Sequence, residues 1–259
     1  MPITQQLLLK FPTVPLAMIV IGISVALALT TTLVAHWIIP GYQRKKESQL
    51  QVVIFGINAI IYAILLTLVL FTSWIGFQDA QSNIQKEANC LVELYRNTEA
   101  FLPAAKQEIR PLLEKYATSV VHEEWKTLAK SELNPGTILI AKEIWKTYTH
   151  YSPKSATEQV FLQESIRKLY ELRACRQDRL ADSKTGIHPA LWFVLLAGEM
   201  VTVFSLSLFT EDLRSKLVVT VLFGLLVGIF FFTIILFDFP FTGDMIVSPS
   251  AFQSALLSW

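Results

Sequence analysis

Hydrophobic residues fall in four long blocks, and charged residues are confined to the gaps between them. No Asp, Glu, Lys or Arg occurs between Lys10 and Arg44, and residues 14–39 are almost entirely apolar. A second uncharged block lies between Glu47 and Asp79. The third, residues 188–210, holds one charge, Glu199, and the fourth, residues 217–237, holds none. A helix needs about 20 predominantly apolar residues to cross a bilayer, and each block supplies them. Helices of a soluble protein would carry a polar stripe at a period of 3.6 residues, and these blocks show almost none. The pattern predicts four transmembrane helices. Ala26-Leu27-Ala28 resembles a signal-peptide cleavage site, but apolar sequence runs on to Ile39 behind a single cation, Lys10. The first block is therefore expected to stay as an anchor.

The blocks pair up. Residues 40–51, with Arg44-Lys45-Lys46, join the first two, and residues 211–215 join the last two. Connectors this short make helical hairpins. An even number of crossings then leaves the N-terminus, the middle region and the C-terminus on one side. Four parts are expected: an N-terminal region with the first hairpin (1–77), an extramembrane helical bundle (78–187), a second hairpin (188–238) and a tail (239–259).

The middle region has helical periodicity. Ile84, Ala88, Leu91 and Tyr95 form one stripe, and Leu113, Ala117, Val121, Trp125 and Leu128 a second. Phe161, Leu162, Ile166, Leu169 and Leu172 form a third, opened by the capping box Ser155-Ala-Thr-Glu158. A shorter helix is expected over residues 137–148, after Asn134-Pro-Gly136. Pro103 and Pro111 punctuate the gap after the first stripe. No Gly or Pro separates Phe77 from Thr98, so the second membrane helix should continue unbroken into the first bundle helix. The fold class is thus an all-α membrane protein, with a helical bundle inserted between the second and third transmembrane helices.

Composition narrows the function. The chain is 53% hydrophobic and 17% charged, against roughly 25% charged in an average soluble domain. A formal net charge of +1 lacks the basic footprint of a nucleic-acid binder. Lys184-Thr185-Gly186 is in the wrong order for a phosphate loop. The four histidines are scattered. His122-Glu123-Glu124 reads as a solvated helix face. Cys90 and Cys175 have no metal-type spacing and suit either a disulfide or two free thiols. No catalytic residue, metal site or cofactor is expected.

The membrane helices carry the candidate chemistry. On the second helix Ile57, Ile61, Ile64, Leu68, Phe71 and Ile75 form a lipid-suited face. Beside it Asn58, Tyr62, Leu65, Val69, Thr72 and Gly76 form a stripe that is polar at both ends and aliphatic between. An unpaired amide in hydrocarbon is costly, so Asn58 acts either as interhelical glue or on a pore-lining face. In the second case Leu65 and Val69 make an apolar constriction. Glu199 falls near the middle of the third helix, where an ionisable residue marks an ion or proton pathway. Thr202 and Ser205 extend its polar stripe, and Tyr62 at similar depth is a possible partner. Gly224 and Gly228 permit close helix approach, and Trp37, Trp74 and Trp192 suit the membrane interfaces. Arg173, Arg176 and Arg179 recur every three residues ahead of the third helix. They serve either headgroup and carboxylate contacts or a positive vestibule that concentrates anions.

Several segments in order resemble the bestrophin-like family of membrane proteins: Tyr116-x3-Val120-x3-Glu124-Trp125, then Arg173-x2-Arg176-x2-Arg179-Leu180, then His188-Pro-Ala-Leu-Trp192. Leu236-Phe-Asp-Phe-Pro240-Phe241-x-Gly243 and Val247-Ser-Pro249 complete the series. The match runs from about Gln51 to Phe252. The resemblance implies a homo-oligomeric ring of subunits in lipid, with the second helices around a central ion pore and the Asn58 to Gly76 stripe facing inward. One departure bears on selectivity: bestrophin necks are lined with aromatic and aliphatic side chains, and the apolar part of this stripe has Leu65 and Val69 without Phe.

Orientation is read from charge. Arg44, Lys45, Lys46, Arg214 and Lys216 stand against Lys10 alone, so the positive-inside rule puts the short loops in the cytoplasm and the bundle outside it. Bestrophins place their bulk in the cytosol. An oligomeric ion channel with inorganic ions as its cargo is the expected function. A non-conducting scaffold or sensor and a proton-coupled carrier using Glu199 are the alternatives.

Overall fold

The computed structural model describes residues 2–38, 49–207 and 213–259, and helix is the only regular structure among them. The expected connectors, with Arg44, Lys45 and Lys46, lie largely outside these residues. In chain order the helices are α1 (Ile3–Lys10), α2 (Thr13–Ile38), α3 (Gln49–Asn97) and α4 (Pro103–Ser119). A π-turn (Val120–Glu124) leads into α5 (Trp125–Leu128), followed by α6 (Pro135–His150) and α7 (Ala156–Asp182). Then come α8 (Pro189–Leu206), α9 (Leu213–Asp238) and α10 (Ser250–Leu257). Among the described residues four helices are long and apolar enough to cross a membrane: α2, α3 from Val53 onward, α8 and α9. The chain forms two compact units, Met1–Ile75 with Gly186–Asp238, and Gly76–Thr185 with Phe239–Trp259.

In the first unit α2 buries one row, Leu16, Val20, Ser24, Ala28, Thr32 and Ala35, at spacings of four and three. Small residues in that row bring α2 close to α9. A Cβ on Gly224 would lie 2.9 Å from the Val25 Cα, and one on Gly228 would lie 2.8 Å from the Ile21 Cα. Thr32 and Thr220 share a hydrogen bond of 2.9 Å across this crossing, satisfying two buried hydroxyls. At the end of α8 the buried Lys216 Nζ donates to the Ser207 carbonyl (2.6 Å). It thus caps a helix C-terminus, where a cation complements the dipole. The Asp238 Oδ1 accepts from the Ile187 amide ahead of α8 (2.5 Å).

The second unit is built from four bundle stripes. Ile84, Ala88, Leu91 and Leu94 of α3 meet Ile109, Leu113 and Ala117 of α4, Ile144 and Tyr148 of α6, and Leu169 and Leu172 of α7. Asn134 caps α6, its Oδ1 accepting from the Thr137 amide (3.1 Å). Ser155 caps α7 by accepting from the Glu158 amide (3.1 Å). The Glu158 carboxylate reaches back to the Lys154 amide (3.0 Å) and the Tyr151 hydroxyl (2.6 Å). The carboxyl of Glu158 is accordingly held below its usual range, chiefly by the Tyr151 hydroxyl.

Two expectations change. Pro103 is the first residue of α4, where a missing N–H costs nothing, and α4 then runs through Pro111, which sits on its exposed side. Residues 239–259, set apart as a tail by their distance along the chain, pack into the bundle. Phe241, Val247 and Phe252 are buried in its core. The Trp125 Nε1 donates to the Val247 carbonyl (3.2 Å), Thr242 donates to the Ala129 carbonyl (2.9 Å), and Trp259 stacks on Tyr95 at 4.8 Å.

Candidate functional site

Within the first unit the second-helix stripe divides. Tyr62 and Val69 are buried, in line with Leu66 and Ser73, so the packed seam of α3 runs through them. Asn58 and Leu65 are half-buried and Thr72 is exposed. The six large apolar residues of the neighbouring face, Ile57, Ile61, Ile64, Leu68, Phe71 and Ile75, are all exposed. Packing within the chain therefore covers Tyr62 and Val69 and leaves the Leu65 and Thr72 edge outward.

Glu199 is completely buried among the spanning helices. Its partner is Ser24 of α2, whose hydroxyl donates to Oε1 at 2.7 Å and lies 3.0 Å from the Gly224 carbonyl. The second oxygen, Oε2, has no hydrogen-bond partner among the described residues. Tyr62 does not pair with Glu199. Its hydroxyl donates to the Leu195 carbonyl one turn earlier (3.1 Å), because its ring lies against Gly198, where a Cβ would come within 2.6 Å of the ring carbon. The Thr202 hydroxyl donates to the Gly198 carbonyl (2.8 Å), and Ser205 donates to the Thr202 carbonyl (2.8 Å). Both hydroxyls beyond Glu199 thus bond to their own helix.

Within the second unit the three arginines part company. Arg179 is fully buried and sits between two buried carboxylates. Its Nε donates to Glu87 Oε2 (2.7 Å), and its Nη2 to Glu87 Oε1 (3.1 Å) and Glu124 Oε2 (3.1 Å). Arg176 donates through Nη2 to Glu124 Oε1 (2.6 Å), and the Tyr116 hydroxyl donates to Glu87 Oε1 (2.7 Å). The rings of Trp125 and Phe252 lie 5.7 and 6.0 Å from the Arg179 guanidinium. Burial opposes its charge, but Glu87 and Glu124 outweigh that effect and hold Arg179 above the usual arginine range. Burial and the Glu87 carboxylate raise the Tyr116 phenol well above its ordinary value. Of the arginine stripe, only Arg173 is exposed.

Glu124 thus departs from the solvated face expected of His122-Glu123-Glu124. His122 and Glu123 are exposed, whereas Glu124 is buried because it falls seven residues after Ala117 and four before Leu128, on the apolar side. Sequence reasoning also passed over Ser24 and Glu87, and met Tyr116 only in the family resemblance, with no partner assigned. Glu87 lies three residues after Ile84 and four before Leu91, and Tyr116 three after Leu113, so their signal was polar atoms set in an apolar stripe. Cys90 and Cys175 are both free thiols.

The residues that converge here, Tyr116, Glu124, Trp125, Arg176, Arg179, Phe241 and Val247, are those of the ordered segments seen in the sequence. Residues 22–252 match the sequence model of the Bestrophin-like domain. The chain belongs to the bestrophin-like family. The match runs from within α2 to α10. Solved structures agree on the fold. A bacterial bestrophin homologue from Klebsiella pneumoniae carrying one substitution superposes with a TM-score of 0.67 at 18% identity, over 93% of this chain and 98% of that one. A differently substituted form of a bestrophin homologue from Klebsiella pneumoniae gives 0.65 at 18% identity, over 96% and 98%. A crystal structure described as a membrane protein gives 0.67 at 16% identity, over 93% and 97%. No curated protein matches the chain. Four apolar spanning helices and the bestrophin-like fold make it an integral membrane protein.

Proposed function

We propose that the chain forms an oligomeric ion channel in which the spanning part of α3 lines the pathway. The observation that carries this reading is the outward edge of α3. Asn58 and Leu65, half-buried, and Thr72, exposed, lie beside the seam of Tyr62 and Val69, the Thr72 hydroxyl donating to the Leu68 carbonyl of its own helix (2.9 Å). An amide, an aliphatic side chain and a hydroxyl in one row suit a pathway with polar ends and an apolar constriction better than they suit lipid. Tyr62 and Val69 then stand behind the lining and fix the rotation of α3. Glu199 and Thr202 lie deeper still, and Glu199 contributes to the pathway only through its field.

Arg176 and Arg179 are neutralised by Glu87 and Glu124, so a vestibule would draw its positive charge from Arg173. The bundle is proposed to lie outside the cytoplasm, although with Lys216 buried against Ser207 the charge count rests on Arg44, Lys45, Lys46 and Arg214 against Lys10.

Planar-bilayer recording of the purified protein under a potassium chloride gradient tests the reading. Discrete current steps are expected, and the sign of the reversal potential assigns cation or anion selectivity. Glu199→Gln should shift that potential if the field of Glu199 reaches the pathway. A silent bilayer with confirmed incorporation would remove the channel.

A second reading, a non-conducting scaffold, has its own support in the Ser24–Glu199 hydrogen bond, which pairs the one mid-span carboxyl within the chain. It expects Glu199→Gln to lower thermal stability and leave no electrical trace.

A further inference from the structure

Between α6 and α7 the second unit holds a cavity of about 470 Å³, inside the range of roughly 300–1,000 Å³ found for small-molecule sites. Its floor is apolar and buried, made by Ile144, Leu169 and Leu172, with Trp145 on the wall. Every charged side chain that lines it is a cation: Lys142, Arg173 and Arg176. Lys142 and Arg173 form no ion pair among the described residues. Arg176 gives Nη2 to Glu124, while its buried Nε has no partner. Tyr116 also reaches the cavity, but its hydroxyl is already committed to Glu87.

Cations facing an apolar floor select for an anion with an apolar body. A small hydrated inorganic ion would lose water against Leu169 and Leu172 without replacement. A neutral apolar molecule would leave the guanidinium groups unanswered. Guanidinium forks match a planar carboxylate through paired hydrogen bonds. We propose that this cavity binds an organic carboxylate, its head held by Arg173, Lys142 and the unpartnered Nε of Arg176, and its alkyl or aryl body lying against Trp145, Leu169 and Leu172. The site lies wholly within the second unit, and the proposal does not rest on ion conduction.

Isothermal titration of the full-length protein in detergent, run at two temperatures so that a zero enthalpy cannot hide binding, provides the test. Saturable binding of 4-phenylbutyrate or octanoate, one per chain, is expected, and the tighter of the two assigns an aryl or an alkyl body. Acetate and the neutral 4-phenylbutyramide should bind at least tenfold more weakly. Lys142→Gln with Arg173→Gln should weaken carboxylate binding at least tenfold at an unchanged melting temperature, since both side chains are exposed at the rim. If the double variant melts early, Arg173→Gln alone carries the comparison. No saturable binding of either carboxylate, equal binding of the amide, or undiminished binding to the folded variant would overturn the proposal.

Discussion

Arg179 carries a full charge into a space closed to water, and its surroundings explain how. Glu87 and Glu124 neutralise it together with Arg176, Tyr116 fills a remaining acceptor site on Glu87, and aromatic rings lie within cation–π range. Removing one member of such a group strands the others, at a cost of about 3–5 kcal/mol for a broken buried pair. Arg179→Met should therefore lower unfolding stability by about that amount. Adding Glu87→Leu to Arg179→Met should cost less than the sum of the two single changes, because no unpaired Glu87 remains. Thermal or denaturant unfolding of the four proteins in the cycle measures the coupling, and strict additivity would show that the residues act independently. At this scale the sequence was legible in part. The three-residue arginine repeat stood out, but its carboxylate partners are 92 and 55 positions away. Periodicity along one helix says nothing about which carboxylates approach from the others.

At the scale of elements, α2 and α9 show how a common motif acquires a specific role. Gly224-x-x-x-Gly228 is frequent in membrane helices, and by itself only permits close approach. Here that approach is realised, with the α2 backbone at Val25 and Ile21 against the two glycines. A side chain at Gly228 would collide with main chain, which cannot swing aside as a flexible side chain can. Gly228→Leu should thus push the helices apart, stretch the Thr32–Thr220 hydrogen bond and destabilise by about 1–3 kcal/mol. The fall in melting temperature, compared with Gly22→Leu where nothing lies within 4 Å, separates the crossing from a general effect of losing glycine. The continuity of α3 was readable beforehand, since no helix breaker lies between Phe77 and Thr98. So was the Ser155 cap, although the Glu158 carboxylate chooses the Lys154 amide. The passage of α4 through Pro111 was not readable, because proline in a helix interior is tolerated only when the surrounding packing offsets the lost hydrogen bond.

At the scale of the whole molecule, the spanning helices expose large apolar side chains, and lipid or neighbouring copies must cover them. The exposed face of α3, from Ile57 to Ile75, is one such surface. Four crossings in one chain are few to enclose a pathway, so a conducting form is expected to be a closed ring of identical subunits. Light scattering of the protein in a mild detergent should return a single multiple of the 29.3 kDa chain mass. A monomer that persists in mild detergent and in lipid nanodiscs would exclude the ring.

Apolar blocks of bilayer length with at most one charge each, the helical stripes between them and the order of the family-like segments determined the four spans, the all-α class and the family from sequence alone. Each of those features is local: insertion depends on about 20 consecutive residues, and a stripe on neighbours three and four apart. The tertiary structure decided the rest. It paired Glu199 with Ser24 and turned Tyr62 to the Leu195 carbonyl, buried two of the three arginines between Glu87 and Glu124, and folded residues 239–259 into the bundle. These arrangements join positions up to 175 residues apart. They follow from which helix faces close on one another and from the partners that most buried polar groups find there.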